Sequence, residues 1–434
     1  MDSWLTPWLL YAIPTALIVV WYLRSRARLQ AEHARQYEES VQAGLNEPAS
    51  LHPVVDPNRC LASGVCVRAC PEQALGIVRG KAVLVNAAAC IGHGACASAC
   101  PTEAIQLVFG TERRGVDIPE VKPNFESNVP GIFIAGELGG MGLVRKAAEQ
   151  GKQAIDGIRS AGRRGGDYDV VIVGAGPAGL AAGLGAVAYK MKYVIVEQEQ
   201  SLGGTVYHYP RNKLTMTAPV KLPIVGRVKM GPEISKEALL AKFQDIARRA
   251  RLKFQFGEKM EAIERDGDVF VVRTTRATYR TGAVLLAIGR RGTPRKLGVP
   301  GEERSKVVYR LIDPEQYRGK KVLVVGGGDA ALEAAIALAD EPGCEVTLSY
   351  RSEAFSRVKP ANRSRLQQRQ AAGRVRVLLK SNVKSIDAAT VTLLHEDREQ
   401  RLPNDAVIVC AGGELPFDLL KKVGIAFETK RGTA

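Results

Sequence analysis

The sequence predicts an α/β protein in which two strand–turn–helix units follow an N-terminal transmembrane helix and a small cysteine-rich α+β module. Three observations carry that expectation. DYDVVIVGAGPAGLAAG (167–183) runs from an apolar strand through a glycine turn into a helix of small residues, and KKVLVVGGGDAALEAA (320–335) repeats the pattern. A cysteine pattern that starts at Cys60 recurs at Cys90, thirty residues on. Ahead of both, Trp4–Leu23 is apolar and carries no charge.

At 434 residues the chain has the length of about three domains. Its 46% hydrophobic and 24% charged residues are the makeup of a folded protein rather than a disordered one. The formal charge of +16 points to an anionic membrane surface or an acidic protein partner. Nucleic acid is not expected, because no nucleic-acid motif is present and aromatics stand at only 6%. Six of the eight cysteines fall between Cys60 and Cys100. Disulfide frameworks serve small secreted domains; in a large chain with glycine turns, clustered thiols read as metal ligands. Cys344 and Cys410 stand alone and read as ordinary thiols.

The run Trp4–Leu23 is twenty residues long, enough for a helix to cross a bilayer, with Trp4, Trp8, Trp21 and Tyr22 towards its ends. Asp2 precedes it and Arg24, Arg26 and Arg28 follow, the reverse of a cleavable signal peptide. A buried core helix is the alternative. The positive-inside bias then places everything after Arg24 in the cytoplasm. The expectation is a single-pass protein of the cytoplasmic membrane with its catalytic domains facing the cytoplasm. Residues 24–54 are largely polar and helix-favouring, and are expected to form a juxtamembrane stalk whose arginines meet anionic headgroups.

Residues 55–109 hold the repeat, CLASGVCVRACPEQAL and then CIGHGACASACPTEAI. It resembles the bacterial two-cluster ferredoxins, in which C-x2-C-x2-C-x3-C-P occurs twice and the fourth cysteine of each run ligates the other cluster. The resemblance implies a ferredoxin-like α+β iron–sulfur domain. The same crossing implies one site with Cys60, Cys66 and Cys100, and another with Cys90, Cys96 and Cys70. The second cysteine of each run is replaced, by Ser63 in the first and His93 in the second. Each side chain either ligates iron or merely occupies the corner; imidazole is the better donor, a hydroxyl the poorer unless ionised. Two iron–sulfur clusters, 4Fe-4S and/or 3Fe-4S, are expected, since a three-iron cluster needs only three thiolates. A zinc site is the alternative, although Cys-rich zinc modules lack the Cys-Pro repeat.

Gly174, Gly176 and Gly179 form G-x-G-x-x-G directly after a strand and at a helix start. Glycines there permit the tight turn, the approach of backbone to pyrophosphate and close helix packing. Glu197 ends the following strand, where a carboxylate accepts from ribose hydroxyls. Gly326, Gly328 and Ala331 repeat the turn in the second unit. Its partner strand ends in Ser349 and Tyr350 rather than an acid, with Arg351 and Arg357 following. That suits the 2′-phosphate of NADPH; the alternative is a solvated basic loop.

With AIGRRGTPRKLGVPGE (287–302) at the crossover between them, these two Rossmann-like domains resemble the thioredoxin-reductase-like pyridine-nucleotide flavoproteins from Asp167 to the C-terminus. The resemblance implies FAD on the first domain and NADPH (or NADH) on the second. Two departures stand out. The family's C-x-x-C is absent, and Ala178 stands where a bacillithiol-disulfide-reductase relative carries a cysteine, so thiol–disulfide exchange is not expected. The family's closing segment is also missing from the C-terminus and stands upstream, as ESNVPGIFIAGELGGMGLVRKAAEQG (126–151). A circular permutation is therefore expected, with SAGRRGGD (160–167) as the joint. By the same resemblance, Gly136 and Glu137 match the glycine and acid that contact the ribityl chain, with Glu for the usual Asp. The Leu143–Ile158 helix would aim its N-terminus at the flavin's pyrimidine edge. Gly204, Thr205 and the run Tyr207-His208-Tyr209 lie either near the ring or in a structural loop.

The expected organisation is an anchor (1–23), a stalk (24–54), a two-cluster domain (55–109), a flavin-closing segment (110–165), an FAD domain (166–290), an NAD(P)H domain (291–408) and a return into the FAD domain (409–434). FAD accepts hydride as an electron pair and can release single electrons, and clusters carry one each. The expected function is a membrane-anchored oxidoreductase passing electrons between NAD(P)H and a one-electron acceptor, a redox protein or a quinone-linked one. No side-chain acid or base is required, and a homodimer is expected. The alternatives are a membrane-tethered redox sensor and an electron-donor subunit of a larger membrane complex.

Overall fold

The computed structural model describes residues 5–42, 48, 51–112, 115–140, 142–162, 165–211, 213–216, 219–229, 233–290, 292–355, 358–414 and 417–432. The chain divides into two compact units, one of residues 1–114, 354–360 and 431–434, the other of residues 115–353 and 361–430.

The first unit opens with a single helix, α1 (Leu5–Gln42). Among the described residues no helix is long and apolar enough to cross a membrane, which overturns the transmembrane span expected at 1–23. The single-pass placement in the cytoplasmic membrane, and the orientation read from the arginines, fall with it. Apolar residues make up only part of α1: Tyr11–Leu23 are exposed along it, with Pro14 inside the run. From Arg24 the same helix continues as polar sequence. That polar half packs on the cysteine-rich module: buried His33 accepts at Nδ1 from the Ile77 N–H at 3.1 Å. A Cβ on Gly76 would lie 2.7 Å from the His33 ring, so the missing side chain is what lets the helix settle there.

The module runs β1 (His52–Val55), α2 (Val65–Ala69), β2 (Leu75–Val78), β3 (Lys81–Leu84), α3 (Ala95–Ser98) and β4 (Ile105–Val108). β1 pairs antiparallel with β4, and β2 with β3. Each short helix starts from a left-handed glycine, Gly64 at φ 71° and Gly94 at φ 81°, a conformation that strains residues with a Cβ. Ala74, Leu75, Ile77, Ala82 and Ile105 pack with the buried thiols Cys66, Cys70 and Cys96 into one small core.

The second unit is mixed α/β and begins with β5 (Val116–Pro119), β6 (Ile132–Ile134), α4 (Val144–Ser160), β7 (Tyr168–Val173), α5 (Pro177–Ala188) and β8 (Tyr193–Glu197). Its first sheet sets Phe254–Phe256, β8, β7 and Thr278–Leu286 in parallel order, with β6 against the end of Thr278–Leu286. The central strands are buried apolar runs, as parallel strands covered on both faces must be. β6 therefore completes a sheet whose glycine turn comes later in sequence. α4 crosses α5 so closely that a Cβ on Gly151 would lie 2.0 Å from the Ala178 carbonyl oxygen.

The second sheet is parallel throughout, in the order Val307–Val308, Ala406–Val409, Lys321–Val325, Glu345–Ser349 and Val375–Leu378. Near the C-terminus, Phe427–Lys430 pairs antiparallel with β5, placing Lys430 opposite Val116.

Candidate functional site

Two cavities lie in the cysteine-rich module. The first is lined by Cys60, Cys66 and Cys100, with Ser63 in its wall. The second is lined by Cys70, Cys90 and Cys96, with His93 in its wall. Each set joins two thiols of one run to the last thiol of the other. No two of the six are disulfide-bonded.

Burial pushes the Cys66, Cys90 and Cys96 thiols up, Cys96 to about 11, and neighbouring sulfurs of the same cavity add to it. Cys100 departs downward. Burial would raise it, but the Thr102 hydroxyl and N–H, the Ala104 N–H and Arg59 outweigh that. Sulfurs that would repel each other as thiolates in a shared cavity favour a cationic group between them. Among the described residues no group of His, Cys, Asp or Glu side chains forms a site for a single metal ion. A cluster differs from such a site in binding each thiolate to a different iron across a cavity, and the donor sets here fit that arrangement. Backbone N–H groups of Ala74, Ala82 and Ala104 donate to the sulfurs of Cys70, Cys60 and Cys100 at 3.4, 3.5 and 3.3 Å.

The second unit carries a cleft of about 1430 Å³ whose wall includes Gly136, Glu137, Gly174, Gly176, Glu197, Gly204 and Thr205. Gly174 has φ 105°, and a Cβ there would meet the Ala287 carbonyl oxygen at 2.5 Å; one on Gly179 would meet the Gly174 oxygen at 1.8 Å. At Gly176 the nearest such contact is Gly204 Cα at 3.7 Å, which leaves the turn open to a diphosphate at the α5 N-terminus. Glu197 accepts from the N–H groups of Ala175 at 2.7 Å and Glu199 at 3.0 Å. Burial raises its pKa while those bonds oppose the shift. The carboxylate thereby fixes the turn, and each oxygen keeps a lone pair for a ribose hydroxyl.

Glu137 and Thr205, distant in sequence, meet in this cleft. Burial raises the Glu137 pKa, and the Arg290 N–H, its guanidinium and the Thr205 hydroxyl work against it. Arg290 also donates to the Asp117 carbonyl at 3.0 Å. Sequence reasoning passed over Arg290, although it sits in the crossover motif; it also passed over Gln150, whose Oε1 accepts the Gly136 N–H at 2.9 Å. Leu143, Val144 and Ala147 bring the α4 N-terminus to the cleft wall. Of the aromatic run, His208 and Tyr209 line the cleft. His208 pairs with Glu199 at 2.9 Å and meets Arg310.

Gly326, Gly328, Ala331 and Arg351 lie outside that wall. Gly326 has φ 145°, with a would-be Cβ 2.4 Å from the Cys410 carbonyl oxygen, while nothing stands within 4 Å at Gly328. Ala331 is buried in the helix that follows. The Tyr350 ring covers Gly327, where a Cβ would fall 2.2 Å from it. Ser349 is turned inward, its hydroxyl 2.9 Å from that of Ser381. Arg351 is exposed just beyond the strand, and Arg357 lies outside the described residues. Lys213 ties to Glu333 at 2.7 Å and stands 4.9 Å over the Tyr209 ring. Cys344 and Cys410 are unpaired thiols pushed up by burial, Cys344 to about 11, which makes both poor nucleophiles.

Residues 171–433 match the family model of the pyridine nucleotide-disulphide oxidoreductases, and residues 52–101 match that of the 4Fe-4S dicluster domain. The second match names four-iron clusters, and nothing in the comparisons supports the three-iron alternative. A ferredoxin–NADP reductase of Ignicoccus hospitalis is 32% identical over 270 residues, 60% of this chain and 83% of that protein. One of Thermus thermophilus is 31% identical over 274 residues, 61% of this chain and 78% of that protein. The solved bacillithiol disulfide reductase of Bacillus cereus shares the fold, with a TM-score of 0.54 at 24% identity, covering 59% of this chain and 81% of that one. The chain belongs to the pyridine nucleotide-disulphide oxidoreductase family, as an NAD(P)H-dependent FAD oxidoreductase that carries a 4Fe-4S dicluster domain.

Proposed function

We propose that the protein takes reducing equivalents from NADPH and delivers single electrons to a protein acceptor, as a ferredoxin–NADP reductase with a cluster module of its own. FAD, when bound, supplies the exchange between electron pairs and single electrons, and two 4Fe-4S clusters supply one-electron storage. The observation that carries this reading is the distribution of sulfur. The flavoprotein unit has a dinucleotide cleft and only two cysteines, Cys344 and Cys410, which form no C-x-x-C, while six thiols stand in two sets of three in the other unit.

In this reading the Gly174–Gly179 turn and the α5 N-terminus hold the diphosphate, Glu197 the ribose, and Glu137 with Thr205 the ribityl chain. Arg351 and Arg357 take the 2′-phosphate of NADPH. Cys60, Cys66 and Cys100 hold one cluster; Cys70, Cys90 and Cys96 hold the other, with His93 on its fourth iron. Ser63 fills the equivalent corner of the first.

The order of the segments follows from a circular permutation. Its support is the parallel pairing of β6 with Thr278–Leu286 and the opposition of Lys430 to Val116, which leaves the ends to be rejoined one turn apart. The function is tested by anaerobic titration with NADPH. Both the flavin and the cluster absorbance should bleach, with more electrons taken up per chain than the two a flavin accepts. Uptake that stops at the flavin would defeat the proposal.

A further inference from the structure

The internal repeat lets the two cluster sites be compared position by position, because each residue of the first run has a counterpart thirty residues on. The informative positions are those where charge differs. Arg59 is matched by Ala89, Arg68 by Ser98, Glu72 by Thr102, and Gln73 by Glu103. Glu72 and Thr102 each follow a crossing cysteine by two residues, and both are half-buried.

Around the first cavity, the Thr102 hydroxyl lies 3.6 Å from Cys100 Sγ. The Arg68 guanidinium stands over Gly64 in the wall, 3.5 Å from where a Cβ would project. Arg59 meets Glu103 at 3.6 Å, so these two charges offset each other. Around the second cavity, the Glu72 side chain belongs to the wall. The backbone differs in the same sense. Cys60 receives the Ala82 N–H at 3.5 Å, whereas its counterpart Cys90 faces the Leu51 carbonyl oxygen at 3.9 Å.

Reduction adds an electron to a cluster, so nearby cations and hydrogen bonds to sulfur raise its potential, and nearby anions lower it. Ser63 and His93 do not cancel this difference: each replaces a thiolate, so both corners lose the same formal charge. The Ala74 N–H on Cys70 and the Ala104 N–H on Cys100 are equivalent and cancel, which sets a neutral imidazole on iron, favouring reduction, against a carboxylate and a carbonyl oxygen. We infer that the cluster held by Cys60, Cys66 and Cys100 has the higher reduction potential and that held by Cys70, Cys90 and Cys96 the lower, with Thr102 and Glu72 setting the gap. This rests on the two-cluster reading above.

The test is an anaerobic redox titration of the holoprotein, followed by electron paramagnetic resonance. The parent should reduce in two resolved steps. Glu72→Thr should shift the lower step upward and leave the upper one in place. Thr102→Glu should shift the upper step downward and leave the lower one, and Thr102→Val should do the same to a smaller extent. The double exchange should narrow or invert the separation. A single unresolved step in the parent, or Glu72→Thr moving the upper step, overturns the inference. Protein that holds no iron and sulfide after anaerobic reconstitution would instead defeat the cluster reading, and the inference with it.

Discussion

Gly151→Ala tests whether the segment ahead of the first glycine turn is a working part of the flavin fold. A methyl group in the middle of α4 should by itself favour the helix, by about 0.8–1 kcal/mol. Here it would land 2.0 Å from the Ala178 carbonyl oxygen. That atom is backbone in the first turn of α5, so no side chain can swing away, and the two helices must part. Overpacking of this kind costs about 1–3 kcal/mol, and a backbone contact this short belongs at the upper end, so the net loss should be about 1–2 kcal/mol. The displaced turn carries Gly174 and Gly176, whose backbone must approach the diphosphate, so FAD retention should fall further than stability does. Thermal unfolding should move down by a few degrees, and gel filtration should strip flavin that the parent keeps. Iron and sulfide should be unchanged. Gly139→Ala is the control, because a Cβ there meets nothing within 4 Å. If Gly151→Ala is as stable as the parent or more so, and keeps its FAD, then α4 does not clamp the glycine turn.

Three further outcomes follow from particular side chains. Arg351→Glu should cut the response to NADPH by about 10–100-fold, the worth of a charge-assisted hydrogen bond of about 1.5–3 kcal/mol, and spare NADH; initial rates of flavin bleaching with each nucleotide decide it. Glu302 is buried, which would raise its pKa, but the N–H groups of Leu297 and Gly298 and the Tyr309 hydroxyl hold it below the usual carboxylate range. Its stabilisation is therefore full above the unfolded pKa of about 4.3 and is lost as pH falls through the lower folded value. Urea unfolding of Glu302→Gln should show a deficit of about 1–3 kcal/mol at pH 7 that shrinks below about pH 4. Reordering the chain so that residue 430 runs through a two-residue turn into 116–162, behind 167–430, should yield a folded, yellow protein; a colourless aggregate would count against the permutation.

Local pattern made much of this legible. The thirty-residue repeat carries the resemblance to two-cluster ferredoxins, and the crossing of fourth cysteines that this resemblance implies sorted six thiols into two sets. The glycine turns and Glu197 were legible because each glycine meets a definite steric demand. Contacts between distant segments were not. Nothing in the sequence near Glu137 announces Arg290 or Thr205, and nothing near His33 announces Gly76, since each pair is made only by packing. The apolar run after Trp4 misled because apolarity was counted without the helix that contains it. Ser349 was placed at the nucleotide strand's end by its position, yet its hydroxyl turns inward to Ser381.

In the proposed function, electrons from NADPH reach the clusters only by way of the flavin held at the first glycine turn. Gly176→Val addresses this route most directly, because the turn tolerates a Cβ at that position while the side chain fills the space of the diphosphate. Electron paramagnetic resonance after anaerobic mixing should show reduced clusters in the parent with NADPH. The Gly176→Val protein should show none with NADPH and a full signal with dithionite. Equal cluster reduction by NADPH in both proteins, or none in a parent whose flavin has bleached, would contradict the account.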